Sequence, residues 1–270
     1  MNAVLEKQFN AIGARVKISQ PNSSRFRVPP PITIDVRRDE EGEFFDIQVK
    51  KEIDLLTLDV QKKDRHLLLL ARDPNNPKAK FLCGHDERHW FTCAIPEKES
   101  VSTVIQAKQA LKPVELRELE AREGLKTKDA HKRHRKLASG RKIHRQGEFM
   151  FIPDPDYKSS IILKNEPMTG GGRNMHYAQF LSRFGGQSVY VNSTYAPNGL
   201  VESEYKQFIK DNSHAKKVLW RRMQRDPAVR VKGKITHIEH STVDLGNVWH
   251  KVVLNTEAQA KARKSVAFLD

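Results

Sequence analysis

Cysteine is nearly absent: Cys83 and Cys93 are the only two in 270 residues. Two cysteines build no disulfide framework, and the usage fits a reducing cytoplasm. Long apolar runs are missing as well. The longest aliphatic stretch is Leu67–Ala71, far short of the roughly 18 apolar residues that a membrane span needs. The opening MNAVLEKQFNAIG has no cationic stretch leading into an apolar one, so it does not read as a signal peptide. There is no Walker loop, GxGxxG, HExxH or GxSxG, which leaves motif-borne nucleotide, protease and esterase chemistry without its usual carrier. These absences predict a soluble cytoplasmic protein without transmembrane insertion.

What the chain does have is positive charge. Lys and Arg total 48 against 33 Asp and Glu, a net +15. Such an excess concentrates polyanions at the surface and steers them in. Nucleic acid, RNA or DNA, is the first partner it implies. An anionic membrane surface or an acidic protein partner comes after. Hydrophobic residues make up 38%, enough for a packed core rather than disorder, and the length allows one large or two modest domains.

The pattern along the chain predicts an α+β fold in pieces. Residues 1–31 read as a short helix and then a Pro/Ser-rich arm, SQPNSSRFRVPPP. Residues 32–124 read as an antiparallel β-meander of about six strands followed by two covering helices. In the strands, Ile32, Ile34 and Val36 alternate with Thr33, Asp35 and Arg37, and Leu56, Leu58 and Val60 repeat the period. Pro113 suits the first turn of the second helix and Gly124 its C-terminal cap. Residues 125–146 carry nine Lys/Arg, three His and one acid, with almost no apolar stripe, and read as a basic linker. Residues 147–257 read as a second β-rich domain. It should hold a helix-like segment near 175–184, one long helix over about 201–224 and a strand over 228–238. Residues 258–270 read as a tail.

Two basic stretches carry the nucleic-acid reading. Lys132, Arg133, Arg135, Lys136, Arg141, Lys142 and Arg145 of the linker offer donors to phosphates. In the second domain, Lys217, Arg221 and Arg225 are spaced to share one helical face, and Arg230, Lys232 and Lys234 one strand face. Few aromatics accompany them, so phosphate contact without strong sequence preference is expected. A loop, Thr169–Arg173 (TGGGR), offers backbone N–H groups to a phosphate but reads first as a turn.

Four histidines form the second candidate set: His176, His237, His240 and His250. Strand alternation places His237 with Val229, Val231 and Ile235, and His250 with Val252 and Leu254. A buried imidazole without a partner costs roughly 1–3 kcal/mol, so these side chains need backbone carbonyls or a shared ion. Neutral imidazole is a good ligand for a divalent transition metal. A metal-dependent hydrolase, such as a nuclease, would also need a nearby carboxylate, with Glu148, Glu166 and Glu239 in range by sequence. A separate Cys83-x-His85-x3-His89-x3-Cys93 hairpin has zinc-type ligands, but its geometry favours an ordinary hairpin. Binding therefore takes precedence over catalysis in this reading.

The order Arg145-Gln146-Gly147-Glu148, His176, His237-x-x-His240, Trp249-His250 and Asn255 resembles small uncharacterised bacterial β-rich proteins with an RQG(D/E) opening strand and a later HxxH. The resemblance covers 145–257. It implies a separable domain and a clustered histidine set, and no activity.

Overall fold

The computed structural model describes residues 2–21, 30–75, 77–86, 88–125, 135–168 and 175–260. The fold is mixed α+β and mostly antiparallel, as the hydrophobic alternation predicts.

The N-terminal half opens with helix α1 (Asn2–Ala11) and strand β1 (Arg15–Ser19). Strands β2 (Ile32–Asp39) and β3 (Gly42–Val49) form the expected hairpin around Glu40-Glu41, with Gly42 at φ +110°. Strand β1 lies parallel to β3, giving the order β1-β3-β2. The short helix expected before the arm at Ser19 ends at Ala11, and Arg15–Ser19 is strand because pairing with β3 overrides local preference. Strands β4 (Asp54–Gln61), β5 (His66–Arg72), β6 (Ala79–His85) and β7 (Trp90–Ala94) form a separate four-stranded meander. So the six strands of the meander divide between two sheets. These enclose one core with α1: Phe9, Ile34, Phe45, Ile47, Leu67, Leu69 and Phe81 are all fully buried.

Two side-chain assignments change for the same reason, since a one-residue slip moves every side chain to the other face. Leu56 and Leu58 are partly exposed, while Leu55 is buried and Val60 packs on the core. An irregularity between Thr57 and Asp59 switches the face part-way along β4. In the β6–β7 hairpin His85 pairs with Trp90 and Cys83 with Thr92. Cys83 and Cys93 therefore enter different cores on opposite faces of the sheet. Burial pushes the Cys83 thiol up to about 12, and the zinc hairpin has no geometric basis.

Helix α2 (Val104–Ala110) starts at a Thr103–Gln106 capping box and covers the outer face of the four-stranded sheet with Val104, Ala107 and Ala110. Helix α3 (Val114–Arg122) begins after Pro113, and Gly124 at φ +62° follows its last turn. Its Leu116 packs with Leu137, Ile143 and Met150 of the C-terminal half rather than on the first sheets.

The C-terminal half is built on an eight-stranded sheet. Strands β8 (Arg135–Lys136), β9 (Lys142–Gln146), β10 (Phe149–Pro153), β11 (Leu163–Met168), β12 (His176–Phe184), β16 (Ala228–Thr236), β17 (Val243–Asp244) and β18 (His250–Leu254) take the order β11-β12-β16-β18-β10-β9-β8, with β17 beside β16. A small three-stranded sheet, β14-β13-β15, projects from it: β13 (Gln187–Asn192), β14 (Ala196–Leu200) and β15 (Arg221–Arg225). Helix α4 (Glu202–Asp211) lies on that sheet through Tyr205, which stacks on Tyr190 at 4.1 Å.

Three expectations are corrected here. The basic segment does not stay outside the fold: Arg135–Lys136 and Lys142–Gln146 are strands, and Arg135, Ile143 and Gln146 are buried. Residues 126–134 lie outside the described residues. The segment near 175–184 is strand β12, paired on both sides in the sheet between β11 and β16. The long helix stops at Asp211; a 3-10 turn, Ser213–Lys217, follows, and β15 pairs along β13. A ladder on Gln187–Val191 satisfies that backbone where helix propensity alone would have continued it.

Candidate functional site

The ladder that turned 175–184 into a strand also builds the site. Tyr177 pairs with Thr236 across the β12–β16 ladder, so His176 and His237 are the next residues out, facing each other at its end. Directly opposed residues in antiparallel strands lie about 4.5–5.5 Å apart. The two imidazoles accordingly stack at 4.1 Å and 21°. The chain then turns back after His237 and brings His240 over both rings, 4.7 Å from His237 and 5.6 Å from His176.

Gln146 holds that turn from below. Its Nε2 donates to Ser241 O at 2.8 Å and to Ile235 O at 3.4 Å. Gly147 follows at φ +57°, a conformation that L side chains seldom adopt. A Cβ there would sit 3.0 Å from His240 Nε2 and 3.5 Å from His176 Nε2. Both Nε2 atoms thus face the backbone of the β9–β10 turn. Phe149 closes the inner side with its ring 4.7 Å from His176.

The three histidines can each offer a ring nitrogen within 4.8 Å of the others. His176 is 3% exposed, and its Nε2 is buried without a hydrogen-bond partner among the described residues. Burial first, and then charge on His237 and His240, pushes its pKa down to about 3. The ring is therefore neutral near pH 7, as a metal ligand must be. His237 Nδ1 accepts the Glu239 N–H at 3.2 Å, so ligation through Nδ1 would replace that bond. Three nitrogens around one tetrahedral ion, each about 2.0–2.1 Å from it, lie about 3.3 Å apart. Small ring movements would bring the triad to that spacing.

His250 does not join them. It pairs with Val231, six positions before His237, or roughly 20 Å along the strand at 3.3 Å per residue. It is buried, its Nδ1 lies 2.9 Å from Val248 O, and its ring sits edge-on to His144. Backbone contact and packing account for it. Glu148, Glu166 and Glu239 do not belong to the cluster of metal-type ligands either; among the described residues that cluster is His176, His237 and His240. A carboxylate near the triad is that of Asp86 in the β6–β7 turn, with Oδ2 3.9 Å from His240 Nδ1. Sequence reasoning had no access to it, because it comes from the other half of the chain. The Gly147 turn was visible only as part of the RQG resemblance.

The basic candidates scatter. Lys132 and Arg133, and the Gly-rich loop over 169–173, lie outside the described residues. Arg135 is buried on Glu120, which also receives Lys112 Nζ at 2.7 and 2.8 Å. Lys108, Lys112, Arg135, Arg145, His66 and Glu120 line a cavity between the halves; the Lys112–Glu120–Arg135 cluster and a Lys108–Asp64 bridge at 3.2 Å knit its walls together. Arg145 Nε donates to Gly147 O. Arg225 reaches Gln187 and the carbonyls of Asn198 and Gly199. Arg230 pairs with Asp154 at 2.6 Å and lies over Tyr157 and Phe184. Lys232 lies over Phe180 and Trp249. Exposed candidates are Lys136, Arg141, Lys142, Lys217, Arg221 and Lys234. Arg221 and Arg225 do share a face, but by the period of two of β15 rather than helical spacing. Lys217 lies before that strand, in the 3-10 turn. Trp220 packs edge-on against Tyr205 and Phe208 and donates to Ala215 O.

No family model, curated protein or solved structure matches the chain.

Proposed function

We propose that this protein binds a divalent transition metal through His176, His237 and His240, and that the site is of the hydrolytic kind. The observation that carries the reading is the buried His176 Nε2, which has no hydrogen-bond partner among the described residues and lies in a cluster whose ring nitrogens are within 4.8 Å of one another. A buried nitrogen of this sort costs stability unless something pairs with it. Zinc suits an all-imidazole set, and three protein ligands leave a fourth position for water. A metal in such a site lowers the pKa of bound water to about 7 and supplies a nucleophile at neutral pH. The chain's own part is to hold neutral imidazoles in place: Gln146 braces the His240 turn, and Gly147 leaves room beside the two Nε2 atoms.

The test is metal content and calorimetric titration with Zn²⁺. One ion per chain is expected, and His240→Ala should lower the affinity at least 100-fold. A substoichiometric, weak titration, or one indifferent to His240→Ala, would overturn the reading.

A second reading, phosphate-backbone binding, is supported by the small sheet and its flanks. Lys216, Lys217, Arg221 and Arg222 are all exposed there, whereas Arg135 and Arg230 are engaged internally. Affinity for an oligonucleotide should fall log-linearly with salt. Arg221→Glu with Arg222→Glu should flatten the slope, measured by fluorescence anisotropy; binding that ignores salt would defeat it.

A further inference from the structure

We infer that Asp86 is a positioning residue of the histidine site, setting the tautomer of His240 from the other half of the chain. The inference rests on the metal-binding reading above.

Asp86 follows β6, and its carboxylate has two roles on two oxygens. Oδ1 accepts the N–H groups of Arg88 and His89, each at 3.0 Å, so the turn itself orients the carboxylate. The Asp86 N–H donates to His89 O at 3.0 Å and closes the same turn. Oδ2 is directed at His240 Nδ1, 3.9 Å away. That is too long for a hydrogen bond and short enough for a small ring shift to close. The opposite edge of the His240 ring carries Nε2, on the Gly147 side with His176 Nε2. An imidazole whose Nδ1–H donates to a carboxylate keeps its Nε2 lone pair for a metal, with ring orientation fixed and ligand basicity raised. His240 has the arrangement for it: carboxylate at one nitrogen, the histidine cluster at the other.

The consequence is a link between the halves. Asp86 lies in the β6–β7 turn of the four-stranded sheet, whereas His176 is in β12 of the eight-stranded sheet and His237 and His240 follow its strand β16. Whatever strengthens the Asp86–His240 contact strengthens both metal affinity and the docking of the two sheets, because coupling between linked equilibria is reciprocal.

The experiment compares the full-length wild type with Asp86→Asn and Asp86→Glu, using Zn²⁺ competition titrations and the visible spectrum of the Co²⁺-loaded protein. Asparagine keeps an acceptor for the two turn N–H groups and removes the charge, so the metal-free Asp86→Asn protein should melt as the wild type does. Its Zn²⁺ affinity should fall about 10–100-fold, the range for lost outer carboxylates, with a changed Co²⁺ band pattern. Asp86→Glu should recover part of both. If the wild type binds one ion and Asp86→Asn binds within threefold with the same spectrum, Asp86 has no such role, while the metal site stands. A loss of affinity matched by loss of metal-free stability, with an unchanged spectrum, would assign Asp86 to the turn alone. If the wild type binds no metal, both readings fall.

Discussion

His66 shows how a single ring can be trapped by its surroundings. It packs edge-on to Phe91 at 5.5 Å, and its Nδ1 meets the Asp64 carbonyl. A Cβ added at Gly84 would fall 2.3 Å from its Cδ2, inside any tolerable contact. Gly84→Ala is therefore expected to cost about 1–3 kcal/mol through overpacking, read from urea unfolding; a neutral result would mean that the ring swings away freely. Burial, then the Lys108 charge, holds the His66 pKa down to about 4, against 6.5 for an ordinary histidine. The native state thus binds that proton less readily than the unfolded chain. Its contribution is complete above about pH 6.5 and is lost as pH falls toward 4. Stability measured across that window should decline with acid, and less steeply in His66→Gln.

At the scale of elements, buried charge decides which basic residues are structural. Glu120 on α3 joins Lys112 and Arg135 of β8, and all three are less than 10% exposed. Glu120→Gln leaves two cations facing each other in the interior, expected to cost about 3–5 kcal/mol. Replacing all three together by apolar side chains of similar volume should cost far less, a contrast that thermal unfolding will resolve. Strands β15 and β16 present a matched pair. Arg230 is pinned between Asp154 and two aromatic rings, so Arg230→Glu should destabilise by about 1–3 kcal/mol. Arg221, exposed on β15, should tolerate the same reversal within about 0.5 kcal/mol. Equal effects at both positions would refute this division of the basic surface.

At the scale of the whole molecule, the chain's return after β18 ties the halves together. The Asn255 N–H donates to Glu148 O, the Thr256 N–H to Leu111 O, the Thr256 hydroxyl to Ala110 O, and Glu257 Oε1 accepts the Ala94 N–H. Among the described residues no helix is long and apolar enough to cross a membrane. A chain ended at residue 254 loses four bonds at a net of about 1 kcal/mol each, so its stability should fall by roughly 3–5 kcal/mol. Calorimetry of the intact chain should show one transition. Two transitions, with the first insensitive to the truncation, would show that the halves unfold separately.

Strand positions in the N-terminal half were legible because Ile32, Ile34 and Val36 alternate cleanly, and a half-buried strand has a period of two. The histidine set was legible as residue types, and for His237 and His250 as inward strand positions. What the sequence determined by itself was therefore local: which stretches could be strands, where helix α3 begins and ends, and that the surface would be basic. The tertiary structure decided everything that depends on pairing. Residues 176–184 and 221–225 became strands because a neighbouring edge satisfied their backbone, and no local pattern records that edge. His176 met His237 through that ladder, while His250, equally inward, was carried along β18 to a different place. Arg135 went inside because Glu120 was there to receive it. Asp86 came to His240 from a distant turn, since contact across two sheets follows from how they pack and not from where residues stand in the chain.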